Sequence, residues 1–264
     1  MAVLLHGDCL EIMKTLPDKS IDLFLCDLPY GCLGPQKKGG GIPREGTDGA
    51  FGGCAWDIPI NLAEFWIQVG RLMKDDHTPI IHFCNTRFGH DLINSKPDWF
   101  RYDLVWNKMR GVGFLNANKM PMRSHENIYV FAKKGATYYR KDIEDESKKE
   151  RKKNRSKALN GNVYNAGERL VEGNDTPAGL RCALSVIDGY NNANKKGKHP
   201  TQKPDDLYSW LIDRYSKEGD TILDPTAGSF ASVFTAERMN RKAIGIEKDD
   251  AFYEKAKQNI TEEQ

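Results

Sequence analysis

Asp27-Leu28-Pro29-Tyr30 is the first place in this chain where residue types and their order suggest chemistry. A carboxylate and a backbone carbonyl at a strand's C-terminal end can both accept hydrogen bonds from one exocyclic amino group. The proline fixes the backbone there, and the tyrosine ring offers a stacking face for a planar base. A second constellation is Asp224-Pro225-Thr226-Ala227-Gly228-Ser229, which follows the apolar Ile222-Leu223 and precedes a helical pattern. Glu247 ends the next strand, Ile244-Gly245-Ile246. Glycine there lets a backbone approach a nucleotide cofactor, and the carboxylate accepts bonds from ribose hydroxyls. The full G-x-G-x-x-G is absent, because Phe230 and Val233 stand at the later glycine positions. A dinucleotide's pyrophosphate would want that close approach, whereas S-adenosylmethionine has no pyrophosphate. A third constellation, His199-Pro200-Thr201-Gln202-Lys203-Pro204, opens a helix at 205. Each segment alone is also what an ordinary strand or helix junction looks like.

The elements around these residues alternate. Val3 to His6 reads as a strand, Cys9 to Leu16 as a helix and Ile21 to Cys26 as a buried parallel strand. Leu62 to Met73 looks helical, and Thr78 to Cys84, Phe100 to Trp106 and Asn127 to Phe131 look like strands. After His199 the rhythm resumes with a helix over 205–215, a strand over 221–223 and a helix over 232–239. A strand over 243–246 and a helix over 249–260 complete it. The alternation predicts an α/β fold with a doubly wound parallel sheet. Two stretches interrupt it. Nine of the residues from Gly31 to Cys54 are glycine, and Lys37, Lys38 and Arg44 lie among them. Such a long loop reads as a lid or a surface insertion. Residues 136–198 are polar, aromatic and basic, and 147–157 carries seven Lys or Arg against one Glu.

Composition bounds the rest. With 264 residues, 39% of them apolar and 29% charged, the chain has material for one large domain carrying an insert. Mean hydropathy is −0.63 and no apolar run approaches membrane-spanning length. The apolar start, Met1 to Leu5, is too short for a signal peptide. Six cysteines form neither a C-x-x-C pair nor a zinc-type cluster with histidine, so no metal is expected and reduced thiols are the simplest reading. The net charge of +2 says nothing about a nucleic-acid partner until its local asymmetry is noticed.

Taken in order, DLPYG at 27–31, HPTQKP at 199–204 and DPTAGS at 224–229 resemble the beta group of S-adenosylmethionine-dependent DNA amino-methyltransferases. GDCLEIMKTLPDKSIDLFLCD near the start, RSHENIYVFAKKG at 123–135 and IGIEKDDAFYEKAKQNI at the end are similar to segments of the same family. The likeness covers most of the chain except 34–53 and 136–198. It implies a doubly wound, mostly parallel Rossmann-like methyltransferase sheet with a small inserted target-recognition region. Residues 1–135 and 199–264 would be the catalytic domain, 136–198 the target-recognition region and 31–54 a mobile loop.

By the same resemblance Asp27 and the Leu28 carbonyl orient the target amine, with Pro29 shaping the turn and Tyr30 stacking on a flipped base. S-adenosylmethionine is held by Asp224, Thr226, Gly228, Ser229 and Glu247. Asp8, with Cys9 beside it, reaches the adenine ring, and Thr201 and Lys203 reach the amino-acid end. Lys37, Lys38, Arg44, Lys148, Lys149, Arg151, Lys152, Lys153 and Arg155 contact double-stranded DNA. An Asp at the head of the catalytic motif goes more often with adenine-N6 than cytosine-N4 chemistry. Cytosine-N4 transfer, an RNA or protein-glutamine substrate, and a silent binding regulator stay open. No Pro-Cys dipeptide occurs, which excludes the cytosine-C5 mechanism with its catalytic thiolate. Leu28 replaces a usual proline and Phe230 a usual glycine. The family is bacterial or phage-encoded and cytoplasmic, and it leaves room for a homodimer and a cognate restriction enzyme.

Overall fold

The computed structural model describes residues 2–31, 57–145, 147, 177, 179–190 and 202–262. Residues 32–56, most of the basic stretch and residues 191–201 lie outside them. Ten strands and six α-helices are seen among the described residues. β1 (Ala2–His6), α1 (Cys9–Thr15) and β2 (Leu23–Cys26) open the chain, followed by α2 (Leu62–Leu72), β3 (Ile80–Cys84) and α3 (Thr86–Ser95). A long hairpin follows, β4 (Phe100–Val112) and β5 (Arg123–Phe131). The strands β6 (Ile143–Glu144), β7 (Leu180–Arg181) and β8 (Val186–Ile187) are short. α4 (Asp205–Tyr215), β9 (Thr221–Asp224), α5 (Ala231–Arg238), β10 (Lys242–Glu247) and α6 (Asp250–Glu262) close it.

Eight strands form one sheet in the order β1-β10-β9-β2-β3-β5-β4-β8. The first five are mutually parallel, and only β5 runs against its neighbours. Every residue of β2 and β3 is buried, because helices cover both faces of the parallel part. Phe24, Cys26, Ile80 and Cys84 face the α1–α2–α3 side, where Met13, Phe65, Val69 and Leu92 fill the core. On the opposite face Phe83 meets Tyr208 of α4 edge-on, with ring centroids 5.8 Å apart. Each such aromatic burial contributes roughly 1.5–3 kcal/mol.

Two compact units are present. Residues 1–139 and 185–264 form the sheet unit, and 140–184 a second one in which β6 and β7 pair antiparallel. β8 pairs with β4, so 185–190 belong to the sheet, and the second unit is narrower than the expected 136–198. None of the helices among the described residues is long and apolar enough to cross a membrane.

One polar residue stands inside the aromatic part of the core. His82 of β3 is fully buried among the rings of Phe65, Trp66 and Phe131, and neither ring nitrogen has a hydrogen-bond partner among the described residues. Burial pushes its pKa from 6.5 down to about 3. The unfolded chain therefore takes up this proton first. Its titration leaves stability unchanged above pH 6.5, and removes about 1.4 kcal/mol per pH unit below it, down to about 3. Urea unfolding of His82→Leu at pH 7 and pH 5 is expected to show a smaller acid loss than the parent chain. Equal losses in the two proteins would refute this account.

Candidate active site

The strand order brings distant motifs together. β2 and β9 are neighbours, yet β2 continues through α2 to β3 on one side and β9 through α5 to β10 on the other. That divergence opens a crevice at their carboxyl ends, where ligands of doubly wound sheets bind. Asp27 follows β2 and Asp224 ends β9, so both carboxylates stand at this edge.

Asp27 is held from two sides. Lys203 Nζ lies 2.6 Å from its Oδ2, and the Tyr30 hydroxyl donates to its Oδ1 at 2.8 Å. Lys203 is only 3% exposed; its ammonium also lies 3.5 Å from Glu126 Oε2 and 5.2 Å from the centre of the Phe83 ring. Glu126 is paired in turn with Lys108 of the facing strand. Burial alone would depress the Lys203 pKa, but Asp27 and Glu126 outweigh it and raise it. Burial likewise works against the Glu126 carboxylate, and Lys203 and Lys108 overcome it, lowering its pKa. The result is a desolvated chain of alternating charge, Lys108–Glu126–Lys203–Asp27, ending on the motif carboxylate.

Tyr30 stacks on Phe88 of α3 with centroids 5.1 Å apart and 26° between planes. A cleft runs past this pair, lined by Gly31, Pro59, Asn85, Arg87 and Asp91. The Leu28 side chain is buried in the core, so what that residue offers the site is its backbone. Sequence reasoning did not single out Lys108, Glu126 or Phe88. For Glu126 a signal existed: a carboxylate heading the buried run Asn127-Ile128-Tyr129-Val130-Phe131.

The second turn is built by hydrogen bonds. Gly228 N–H donates to Glu247 Oε2 at 2.7 Å, and Asp249 N–H donates to its Oε1 at 2.7 Å. The Ala227 N–H donates to the Ile246 carbonyl at 2.8 Å, tying this turn to β10. Asp224 accepts from Thr226 N–H at 3.1 Å and from the Ser232 hydroxyl. Burial lifts the Asp224 pKa to about 7, against the pull of those two donors, and burial also raises that of Glu247. Ser229 donates to Gln202 Oε1 at 2.8 Å, which ties Gln202 to the turn. Phe230 takes the left-handed conformation, φ 59, that a glycine would adopt there. Its ring is fully buried against Gly245; a Cβ there would come within 2.6 Å of it. Glycine in the next strand thus makes room for the ring.

A nucleoside cofactor fits these residues. Gly228 has open space where a side chain would project, the buried Thr226 hydroxyl lacks a partner among the described residues, and the Glu247 carboxylate closes the turn. Asp8 caps α1 by accepting from Leu10 N–H at 3.0 Å and lies 3.2 Å from Lys248 Nζ. Cys9 is buried, and burial raises its thiol pKa to about 11, so it acts as a small apolar wall. Thr201, Lys37, Lys38, Arg44, Lys148, Lys149, Arg151, Lys152, Lys153 and Arg155 lie outside the described residues.

An open doubly wound sheet, with a glycine turn after one switch-point strand and D-L-P-Y after its neighbour, defines a Rossmann-like methyltransferase. A family model described as DNA methylase matches residues 21–258, and the chain belongs to this family, the N6/N4 DNA methylases. It is 25% identical over 281 residues to the type II methyltransferase M.HinfI of Haemophilus influenzae, covering 98% of this chain and 68% of that protein. The fold is similar to that of the M1.HpyAVI–SAM complex, with TM-score 0.59 and 19% identity over 98% of this chain and 99% of the other. It is also similar to the cytosine-N4-specific PvuII DNA methyltransferase, with TM-score 0.62 and 15% identity over 96% and 84%.

Proposed function

We propose that this chain transfers a methyl group to the exocyclic N6 amine of adenine in double-stranded DNA. One observation carries the reading: the Asp27 carboxylate, gripped by Lys203 and Tyr30, shares the switch-point edge with the Asp224–Ser229 turn. When bound, S-adenosylmethionine supplies an electrophilic methyl group on sulfonium. Thr226, Gly228, Ser229 and Glu247 would hold this cofactor, with Asp8 and Cys9 at its adenine and Thr201 at its amino-acid end. Asp27 and the Leu28 carbonyl accept hydrogen bonds from the target amine and aim its lone pair. Such positioning supplies much of the rate in a displacement of this kind. The Tyr30 ring, backed by Phe88, offers its face to the extruded base. Adenine is favoured over cytosine because an Asp heads the motif. Residues 136–198 would read the recognition sequence, with Lys37, Lys38, Arg44 and the cations of 148–155 neutralising phosphates. Incubating the protein with tritiated S-adenosylmethionine and unmethylated DNA, then separating nucleosides, tests the reading. Label is expected in N6-methyl-2′-deoxyadenosine; label in a cytosine nucleoside, or none in DNA, overturns it.

A further inference from the structure

The β4–β5 hairpin carries side chains for which the catalytic reading has no use. β4 and β3 both pair antiparallel with β5, so β4 ends at the same sheet edge as Asp27. Lys108 and Glu126 at the hairpin's base belong to the charged chain on Asp27. Beyond them the pairing shifts between Asn107 and Val112, and Met109 takes φ 56. A single 3₁₀ turn, Phe114–Asn116, entered from Gly113 at φ 90, then begins the tip. Phe114 and Leu115 are 78% and 75% exposed, and Met109, Val112, Met120 and Met122 are exposed beside them. Scattered exposed apolar residues need no explanation, but a cluster on one protrusion marks a binding surface.

Charge decides what binds. Between Asp103 and Glu126 there is no carboxylate, while Lys108, Arg110, Lys119 and Arg123 are all cationic. A second copy of this tip would set like charge against like charge. A stacked polyanion satisfies both halves of the surface: cations meet phosphates and apolar side chains enter between bases. We propose that residues 109–123 form a wedge that enters the base stack of duplex DNA beside the target nucleotide. Phe114 and Leu115 insert, and Arg110 and Arg123 hold the flanking phosphates. The inference rests on the DNA methyltransferase reading above and adds to it the part that holds the duplex open. Extruding a base costs its stacking and pairing, and side chains that fill the gap offset that cost.

The test compares two duplexes built on a site that the wild-type protein methylates. One is fully paired, and the other sets an abasic position opposite the target base. Phe114→Ala/Leu115→Ala is expected to methylate the paired duplex at least about tenfold more slowly, and the pre-opened duplex within about threefold of wild type. Its Kd for S-adenosylmethionine, measured by calorimetry, should match wild type and verifies the fold. Wild-type rates on the paired duplex, or equal losses on both, overturn the wedge. A lowered sedimentation mass in the variant would reveal a self-association surface and also overturn it. Arg110→Gln/Arg123→Gln should make the plot of log Kd against log salt shallower by about 1.8, and an unchanged slope contradicts the phosphate contacts. If the wild-type protein methylates no DNA, the catalytic reading itself falls; if only the variants behave as wild type, the wedge alone falls.

Discussion

Asp27→Ala is expected to reduce methyl transfer by about 10²–10³-fold or more while leaving S-adenosylmethionine affinity within a few-fold of wild type. The separation follows from geometry. Asp27 lies after β2 and meets Lys203 and Tyr30, whereas the cofactor turn hangs on Glu247, Asp224 and the end of β10. Removing the carboxylate does not strand the Lys203 ammonium, because Glu126 remains 3.5 Å away. The fold should therefore survive, and a urea midpoint close to that of wild type would confirm it. Asp27→Asn refines the result, since it keeps one acceptor oxygen but loses the charge that Lys203 binds. Its transfer rate should fall between those of wild type and Asp27→Ala. Calorimetry for cofactor affinity and tritium transfer for rate decide the matter. Parallel loss of affinity and rate in Asp27→Ala would contradict the division of labour.

Much of this site was legible before any coordinates, because its chemistry is concentrated in short runs at strand ends. D-L-P-Y and D-P-T-A-G-S each follow an apolar strand and precede a change of pattern, which placed them correctly at strand termini. Their adjacency was not legible, because β2 and β9 are neighbours only through the strand order. Here the resemblance to a family supplied what periodicity could not. α3 went unread although Asn85 caps it through Phe88 N–H, since Gly89, His90 and Asp91 dilute its apolar face. β4 and β5 run past their expected limits, because the added residues are polar or solvent-facing and break the apolar run. Glu126 was visible as an odd carboxylate, but its partner Lys203 comes from a segment read as a cofactor clamp. Only the folded chain sets that ammonium against Asp27.

The position of Lys203 leads to the second large effect. Lys203→Met removes the one cation that, among the described residues, touches both Asp27 and Glu126, leaving two carboxylates facing a desolvated space. Breaking a buried ion pair from one side typically costs about 3–5 kcal/mol, because the remaining charge loses its compensation. Lys108 still pairs with Glu126, which places the expected loss toward the lower end of that range. Methyl transfer should fall steeply as well, because the Asp27 carboxylate loses the contact that fixes its orientation. Glu126→Gln is the milder change: Lys203 keeps Asp27 at 2.6 Å, and stability and rate should fall less. Combining the two should cost less than the sum of the singles, since each removes part of the same network. Urea unfolding gives the stabilities, and the Kd for S-adenosylmethionine separates two roles for Lys203. A lysine that positions Asp27 leaves Kd nearly unchanged when replaced, whereas one that clamps the cofactor raises Kd in step with the loss of rate. Unchanged stability and rate in Lys203→Met would show that the charged chain does not support Asp27 at all.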